Sequence, residues 1–495
     1  MPGSRIPIRS GRFSTKIQRQ PKPLDSVPQE KGKASRRENL LFRLPDELLV
    51  EIVKEVMWRD ALRLRRTCSR LRDITRSLRV WQSFARRESR QTLWLELPVE
   101  SYNSEELEHL ILRRKSADTR YEKSVESLIL PQRTLPFRRD GQYDSLCLVP
   151  GGRWLLFSTR RGSVTYYDLN SEGFTRQELI PEKRTKSITS MCVDVDLDSP
   201  TLKFNLVLVT VEFSGPVDGH QALIEVWQVD LAVDERGKGV ALTASDGPLA
   251  SFLQEPRGHI SSMSLVGDFF AYSISFRPRH NTYAFIVNWK AVLGTEYVKR
   301  VVSIPDWSAC CLLDGYICVP TDRRLLLLPL ESLTETIAMP SSYAQIPTPR
   351  PIATVTLPKS IDFFSFSYPV IQKDTTRFVI AADDTVYGIA MHKGQEDPIL
   401  DATLLAHLKP DVLFVSTRIS VSDTSCLVWL RGGEMVLQSF GQPRSGILNK
   451  PPQILPPLSP SGSYFYALDM ASGQIVSYRS AREQSRLIIS YLRFR

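Results

Sequence analysis

The sequence predicts an α+β multidomain chain: a small all-α domain near the N-terminus, followed by a much longer all-β domain. Three observations carry that prediction. Residues 44 to 81 repeat apolar side chains at helical spacing. From about residue 125 the period shortens, and runs of Val, Ile, Leu, Phe and Tyr alternate with Gly, Asp, Asn and Pro. Those runs come in sets of four. At 495 residues the chain exceeds what one hydrophobic core usually supports, so two domains and a tail are the natural division.

Residues 1–40 read as a disordered basic tail, rich in Pro, Ser and Gly, with Phe13 as their only aromatic side chain. They hold ten Lys and Arg against Asp25, Glu30 and Glu38, a balance of +7. Residues 59 to 90 hold eleven arginines against Asp60, Asp73 and Glu88, a balance of +8, while residues 41 to 58 carry −2. With a net charge of +10, everything after residue 90 totals −3. A basic head therefore precedes a nearly neutral body. Nucleic-acid binding needs basic side chains in a folded groove or interleaved with aromatics, so no nucleic acid is expected as a partner. The stretch 31–37 (Lys31, Lys33, Arg36, Arg37) suits either a nuclear localisation signal or a solvated tail.

Residues 41–90 form the first folded unit. Pro45 suits the first turn of a helix, and Asp46 and Glu47 place negative charge at its positive dipole end. Leu44 stands at the N-cap place, where Ser, Thr, Asp or Asn is preferred. Leu48, Leu49, Ile52, Val53, Val56 and Met57 give an unusually broad apolar stripe. A second stripe follows at Leu64, Cys68, Leu71, Ile74 and Leu78, with arginines on the opposite face. One stripe can bury against the other, and the surplus on the first reads as a docking surface.

Taken together, LPDELLVEIVKEV at 44–56, TCSRLRDI at 67–74 and the closing Trp81 resemble the F-box, the adaptor-binding module of Skp–cullin–F-box ubiquitin ligases. The similarity covers roughly residues 42 to 86. It implies that Leu44, Pro45, Leu48, Leu49, Ile52, Val53, Leu71 and Trp81 serve adaptor binding.

Residues 91–124 are expected to form a helical linker. Asn103 and Ser104 supply a cap, Glu105 and Glu106 follow in the first turn, and Leu107, Leu110 and Ile111 keep helical spacing before Arg113, Arg114 and Lys115.

Residues 125–495 carry the strand sets. Strands are expected at 146–149, 154–158, 163–169 and 174–179, joined by turns at Pro150-Gly151-Gly152 and Arg161-Gly162. A second set falls at 188–195, 204–213, 223–231 and 249–253, and a third at 260–265, 269–276, 283–289 and 298–303. Less regular sets run through 308–357, 361–405 and 411–440, with a partial one at 454–479. Four antiparallel strands repeated around a ring is the propeller plan, which removes long free edges by radial closure; a pair of β-sandwiches or a large barrel is the alternative for such strand runs. Seven blades are expected, with a strand near 127–130 completing the last. The blades resemble degenerate WD repeats: Gly258-His259 stands where such repeats carry Gly-His, and Tyr167-Asp168-Leu169, Trp227-Gln228-Val229-Asp230 and Val428-Trp429-Leu430 stand near the usual Trp-Asp ending of a third strand. Tail, F-box, linker helix and propeller in this order look like fungal F-box proteins with a propeller behind the adaptor module.

The search for chemistry returns little. No nucleophile elbow, Walker loop, dinucleotide fingerprint or zincin helix is present. The histidines at 109, 220, 259, 280, 392 and 407 are scattered without metal-ligand spacing, and His259 reads as a scaffold donor. Asp194, Asp196 and Asp198 alternate along one strand, as a carboxylate ladder or calcium site on one face or, favoured because the loop lacks the glycine an EF-type site needs, as turn-flanking acids. No metal or cofactor is expected. Seven cysteines in no paired framework read as reduced thiols of the cytosol or nucleus. The longest apolar run, near 325–330, is too short for a membrane span, so no membrane is expected as a partner.

The resemblance therefore implies a substrate receptor that is not itself an enzyme. The F-box docks a Skp-type adaptor, and through it a cullin, while the propeller recruits an unidentified target. An adaptor-bound scaffold outside ubiquitination and a propeller-fold enzyme remain alternatives, the last needing convergent carboxylates that the sequence does not locate. Arg153, Arg160, Arg161, Arg323 and Arg324, all beside expected turns, are candidates for reading a phosphorylated target or are ordinary turn residues.

Overall fold

The computed structural model describes residues 43–88, 93–120, 132–136, 143–159, 161–171, 175–182, 187–212, 221–254, 259–276, 281–294, 296–305, 309–338, 340, 346–357, 364–367, 369–371, 375–382, 385–394, 397–407, 419–421, 425–429, 435–439, 453–455, 463–469, 474–480 and 485–491. The chain divides into two compact units, Met1–Leu49 and Val50–Arg495, a boundary that falls inside helix α1 (Asp46–Glu55). In the first unit the Pro45 carbonyl accepts the Leu49 N–H at 3.2 Å and opens the helix. Pro45 thus stands one residue before α1, with Asp46 and Glu47 at the positive dipole end.

The second unit continues through α2 (Trp58–Leu64), α3 (Ser69–Thr75) and α4 (Leu78–Arg87). The apolar series from Leu64 to Leu78, which reads as one stripe, is cut twice. Cys68 is the N-cap of α3, its thiol accepting the Leu71 N–H at 3.4 Å, and Ser77 is the N-cap of α4. Leu71 and Ile74 are buried, whereas Leu78 is exposed. On α4 the buried residues are Val80, Trp81, Phe84 and Ala85, one face at i, i+1, i+4, i+5. Trp81 meets Phe84 edge to face with centroids 5.4 Å apart and donates its indole N–H to the Thr75 carbonyl at 2.9 Å.

Helix α5 (Ser104–Arg120) begins where the sequence places it. Asn103 and Glu106 cap each other: the Asn103 side chain accepts the Glu106 N–H and the Glu106 carboxylate accepts the Asn103 N–H, both at 2.9 Å. One arginine ties this helix to the others. The Arg65 guanidinium forks onto Glu108 at 2.6 and 2.9 Å, donates to the Thr75 carbonyl at 3.2 Å, and lies 5.8 Å from the Trp81 ring centre.

Beyond α5 the described strands form seven antiparallel sheets. The first holds Tyr143–Leu148, Trp154–Thr159, Val164–Asp168 and Arg176–Ile180, as the turn glycines imply; Gly151, Gly152 and Gly162 all have positive φ. The second holds Ser187–Val195, Lys203–Glu212, Ala222–Val233 and Ala250–Gln254. Gly239–Ala244 adds a further strand to it, paired with Ala222–Val233. The third runs from His259–Val266 to Lys299–Ile304 and gains Thr334–Thr336 from the region expected to belong to the fourth. The fourth and fifth sheets occupy 311–356 and 364–407.

The last two sets need correction. Gln453–Leu455 pairs with Met435–Ser439 and completes the sixth sheet, so the seventh begins at Ser463–Asp469. Trp429, expected near the end of a third strand, ends the second strand of the sixth. The seventh sheet ends in Gln132–Pro136, which pairs with Ser485–Tyr491 from Gln132 opposite Ser490 to Pro136 opposite Arg486. The N-terminal closing strand exists, therefore, at 132–136; the expected position, 127–130, lies outside the described residues.

First strands of neighbouring sheets touch in succession: 143–148 with 187–195, then 259–266, then 311–313. On the other side 419–421 touches 463–469, which returns to 143–148. The fifth sheet joins the fourth through 353–356 with 399–407 and the sixth through 375–382 with 419–421. This closed succession is a β-propeller. Its cores lie between sheets: Trp154, Leu156 and Tyr166 of the first pack with Phe204, Leu206 and Trp227 of the second. Each such side chain contributes roughly 1.5–3 kcal/mol on burial.

Candidate protein-interaction sites

Along α1 the stripe divides between interior and solvent. Leu49 and Val53 are 1% exposed, whereas Leu48 is 50% and Ile52 44% exposed, and Met57 beyond the helix is 73% exposed. Leu44 is half-buried and Pro45 exposed. Of the eight residues proposed for adaptor binding, Leu44, Pro45, Leu48 and Ile52 thus reach solvent, while Leu49, Val53, Leu71 and Trp81 lie in the interior. The buried four support the shape of the unit instead of offering surface. Large apolar side chains left in water at one-turn spacing make this face a candidate docking surface.

A second site joins the segment before α5 to the propeller. Arg153, at the first hairpin of the first sheet, donates to Glu96 at 2.6 Å, to Asp168 at 3.1 and 2.8 Å, and to the Gly239 carbonyl at 2.8 Å. Its guanidinium lies 4.3 Å from the Trp154 ring centre. Burial disfavours its charge, but the bonds to Asp168 and the charge of Glu96 outweigh that and raise its pKa. Burial pushes the Glu96 carboxyl up, opposed by the Arg153 charge and hydrogen bonds. The Tyr102 hydroxyl accepts the Glu96 and Leu97 N–H groups at 3.0 and 3.2 Å, and burial together with the Glu96 charge raises its pKa to about 12. The Leu202 N–H donates to the Glu96 carbonyl at 2.6 Å. Gly151 permits the close approach, since a Cβ there would sit 3.2 Å from Trp94 Cβ.

This arrangement occupies Arg153, one of the five arginines named as candidates for reading a phosphorylated target. Arg161 pairs with Glu182 at 3.1 Å, Arg160 lies outside the described residues, and Arg323 and Arg324 line an open surface hollow with Thr321 and Asp322. No local motif announces the Arg153 network, because its partners Glu96 and Gly239 are 57 and 86 residues away. Asp168 was singled out only as the ending of a WD-like strand.

His259 opens its strand opposite Ser275, and Gly258 lies outside the described residues. Among the described residues no three His, Cys, Asp or Glu side chains gather as a metal site. Of the acidic series, Asp196 accepts the Asp198 and Ser199 N–H groups in a turn, and Asp194 accepts the Gly267 N–H at 2.7 Å from the neighbouring sheet. Burial raises the Asp194 carboxyl to about 6 despite that bond, with Asp196 adding a smaller push. Its folded pKa lies above the unfolded value, so stability falls as pH rises from about 4 to 6 and stays lower above. Asp194→Asn, which keeps the acceptor, is expected to stabilise the propeller at pH 7.5 by up to about 3 kcal/mol. Thermal unfolding checks this: the gain should shrink towards zero near pH 4, and an equal gain at both pH values would refute it.

The comparisons with known proteins agree with the helical part. The F-box-like family matches residues 41–87. The chain therefore carries an F-box-like domain followed by a β-propeller, and such a domain implies binding of a Skp-type adaptor. Among solved structures it is similar to the β-propeller domain of Myceliophteria thermophila Cps50 (Swd1), with TM-score 0.42 and 11% identity over 73% of this chain and 99% of that one. It is also similar to the C-terminal WD40 domain of Sif2, with TM-score 0.40 and 11% identity over 73% of this chain and 98% of that one. No curated protein matches the chain. Among the described residues no helix is long and apolar enough to cross a membrane.

Proposed function

We propose that this chain is the substrate-recognition subunit of a Skp–cullin–F-box ubiquitin ligase in the cytosol or nucleus. The observation that carries the proposal is the fusion of an F-box-like domain, with Leu48 and Ile52 left in water, to a propeller in one chain. In this role the protein performs no chemistry itself. The propeller binds a target protein, and the complex raises the effective concentration of a target lysine beside the charged conjugating enzyme. The eight residues named from the sequence divide the work: Leu44, Pro45, Leu48 and Ile52 meet the adaptor, and Leu49, Val53, Leu71 and Trp81 hold their supports. Residues 91–124 act as the linker between the F-box unit of 41–90 and the propeller of 125–495.

The test is affinity purification of the full chain from its native cell. A Skp-type adaptor and a cullin should co-purify, and target ubiquitination should depend on the chain. Adaptor without cullin would leave a scaffold outside ubiquitination; neither partner would refute the proposal.

A further inference from the structure

Eight of the arginines from 61 to 87 fall into two groups. Residues 61 to 87 contain nine, against Asp73 as the single acid. Some have structural work: Arg65 holds Glu108, Arg63 pairs with Asp60 at 2.9 Å, Arg86 pairs with Glu100 at 2.8 Å, and Arg87 lies 4.9 Å from the Phe84 ring centre. Arg66, Arg72, Arg76 and Arg79 are exposed and make no ion pair among the described residues. Arg72 and Arg76 are one turn apart at the end of α3, and Arg79 enters the first turn of α4, which contains no acid. Leu78, between them, is exposed. Like charges one turn apart destabilise a helix by a few tenths of a kcal/mol each, so folding alone does not favour this grouping.

We infer that Arg72, Arg76, Leu78 and Arg79, around the turn from α3 into α4, form a docking surface for an acidic polypeptide segment that carries an apolar side chain. Charge complementarity chooses the occupant. Asp73 offsets one of the positive charges and leaves the surplus facing solvent. Base stacking is not offered, because Trp81 and Phe84 are buried in the same helix. Helix α3, with seven residues, is short for groove entry and ends at the turn into α4. An alternation of carboxylates and a leucine on the partner matches arginine, leucine, arginine here, with guanidinium–carboxylate bonds fixing the register. The inference does not rest on the adaptor reading.

The test titrates the full chain into a short fluorescent peptide of Glu and Leu and follows anisotropy at low and high salt. Arg72→Glu, Arg76→Glu and Arg79→Glu combined should weaken binding at least about tenfold at low salt and flatten the salt dependence. The basic first forty residues are common to both proteins and cancel in the difference. Should the triple Glu variant fail to fold, the corresponding Gln variant should still lose several-fold. Leu78→Ser should weaken the Glu–Leu peptide and leave a Glu-only peptide unchanged. Equal binding by wild type and variants would overturn the inference. So would tighter binding of duplex DNA, RNA or anionic vesicles that is lost through the same substitutions.

Discussion

Leu48→Asp combined with Ile52→Asp is expected to abolish capture of a Skp-type adaptor while circular dichroism of the chain stays unchanged. Both side chains already stand in water, so a carboxylate at either position costs the free protein little. In a docked complex the same carboxylates would be stripped of water against an apolar partner surface. A central interface anchor is typically worth about 2 kcal/mol or more on truncation, and two of them correspond to about several hundredfold in affinity. Leu44→Ala with Pro45→Ala should weaken capture in the same direction, since Pro45 is exposed and Leu44 half-buried. Leu49→Asp forms the control: it should also lose the adaptor, but by disrupting the fold, because Leu49 is buried. Undiminished capture by the Leu48/Ile52 variant would remove α1 from the interface.

The second large effect lies at Arg153. Arg153→Leu should destabilise the propeller by about 3–5 kcal/mol, because it strands two acids, Glu96 and Asp168, that share one cation in a partly dry setting. Glu96→Gln should cost less, since Arg153 keeps Asp168 and the Gly239 carbonyl. Thermal unfolding gives the stability, and amide exchange across residues 93–102 shows whether the segment has come away. A loss below about 1 kcal/mol in Arg153→Leu would show that the network is ornamental. The contacts also bear on how the two parts separate. A fragment from residue 122 lacks Glu96, Leu97 and Tyr102, so one from residue 91 should be the more stable propeller. Either fragment should protect the target in cells if the propeller is the target-binding part.

What the sequence reveals here depends on how local the cause is. The capping of α5 was legible because Asn103 and Glu106, the two partners of the cap, are three residues apart. The first strand set was legible because Gly151, Gly152 and Gly162 mark hairpins between apolar runs. The later sets blur where strands trade allegiance: Thr334–Thr336 belongs to the sheet before it, and Gln453–Leu455 closes the sixth sheet instead of opening the seventh. Such choices are made by neighbours beyond the reach of local pattern: Lys299 pairs with Thr336, and Met435 with Leu455. In the helical unit the composition identified an apolar stripe but not its direction. Leu48 and Leu49 are adjacent and chemically identical, yet the helix turns one outward and the other inward. The Arg153 network was illegible for a simpler reason: an arginine beside a turn gives no sign of partners so remote in sequence.

The pairing of Gln132–Pro136 with Ser485–Tyr491 has a consequence for the order in which the molecule is made. A ribosome delivers the helices first, and at ordinary elongation speed several tens of seconds then pass before the other half of the closing sheet emerges. During that interval the early strand has no partner of its own, and an unpaired strand edge is prone to join a stranger. The helical unit, by contrast, holds its own short-range contacts from the start. An adaptor could therefore engage a nascent chain whose propeller is still open. Loss of only the final strand would leave such a product: competent to enter a complex, with its last sheet unsealed. Truncation at residue 484 should accordingly behave as an aggregation-prone adaptor binder, a dominant competitor instead of a silent null.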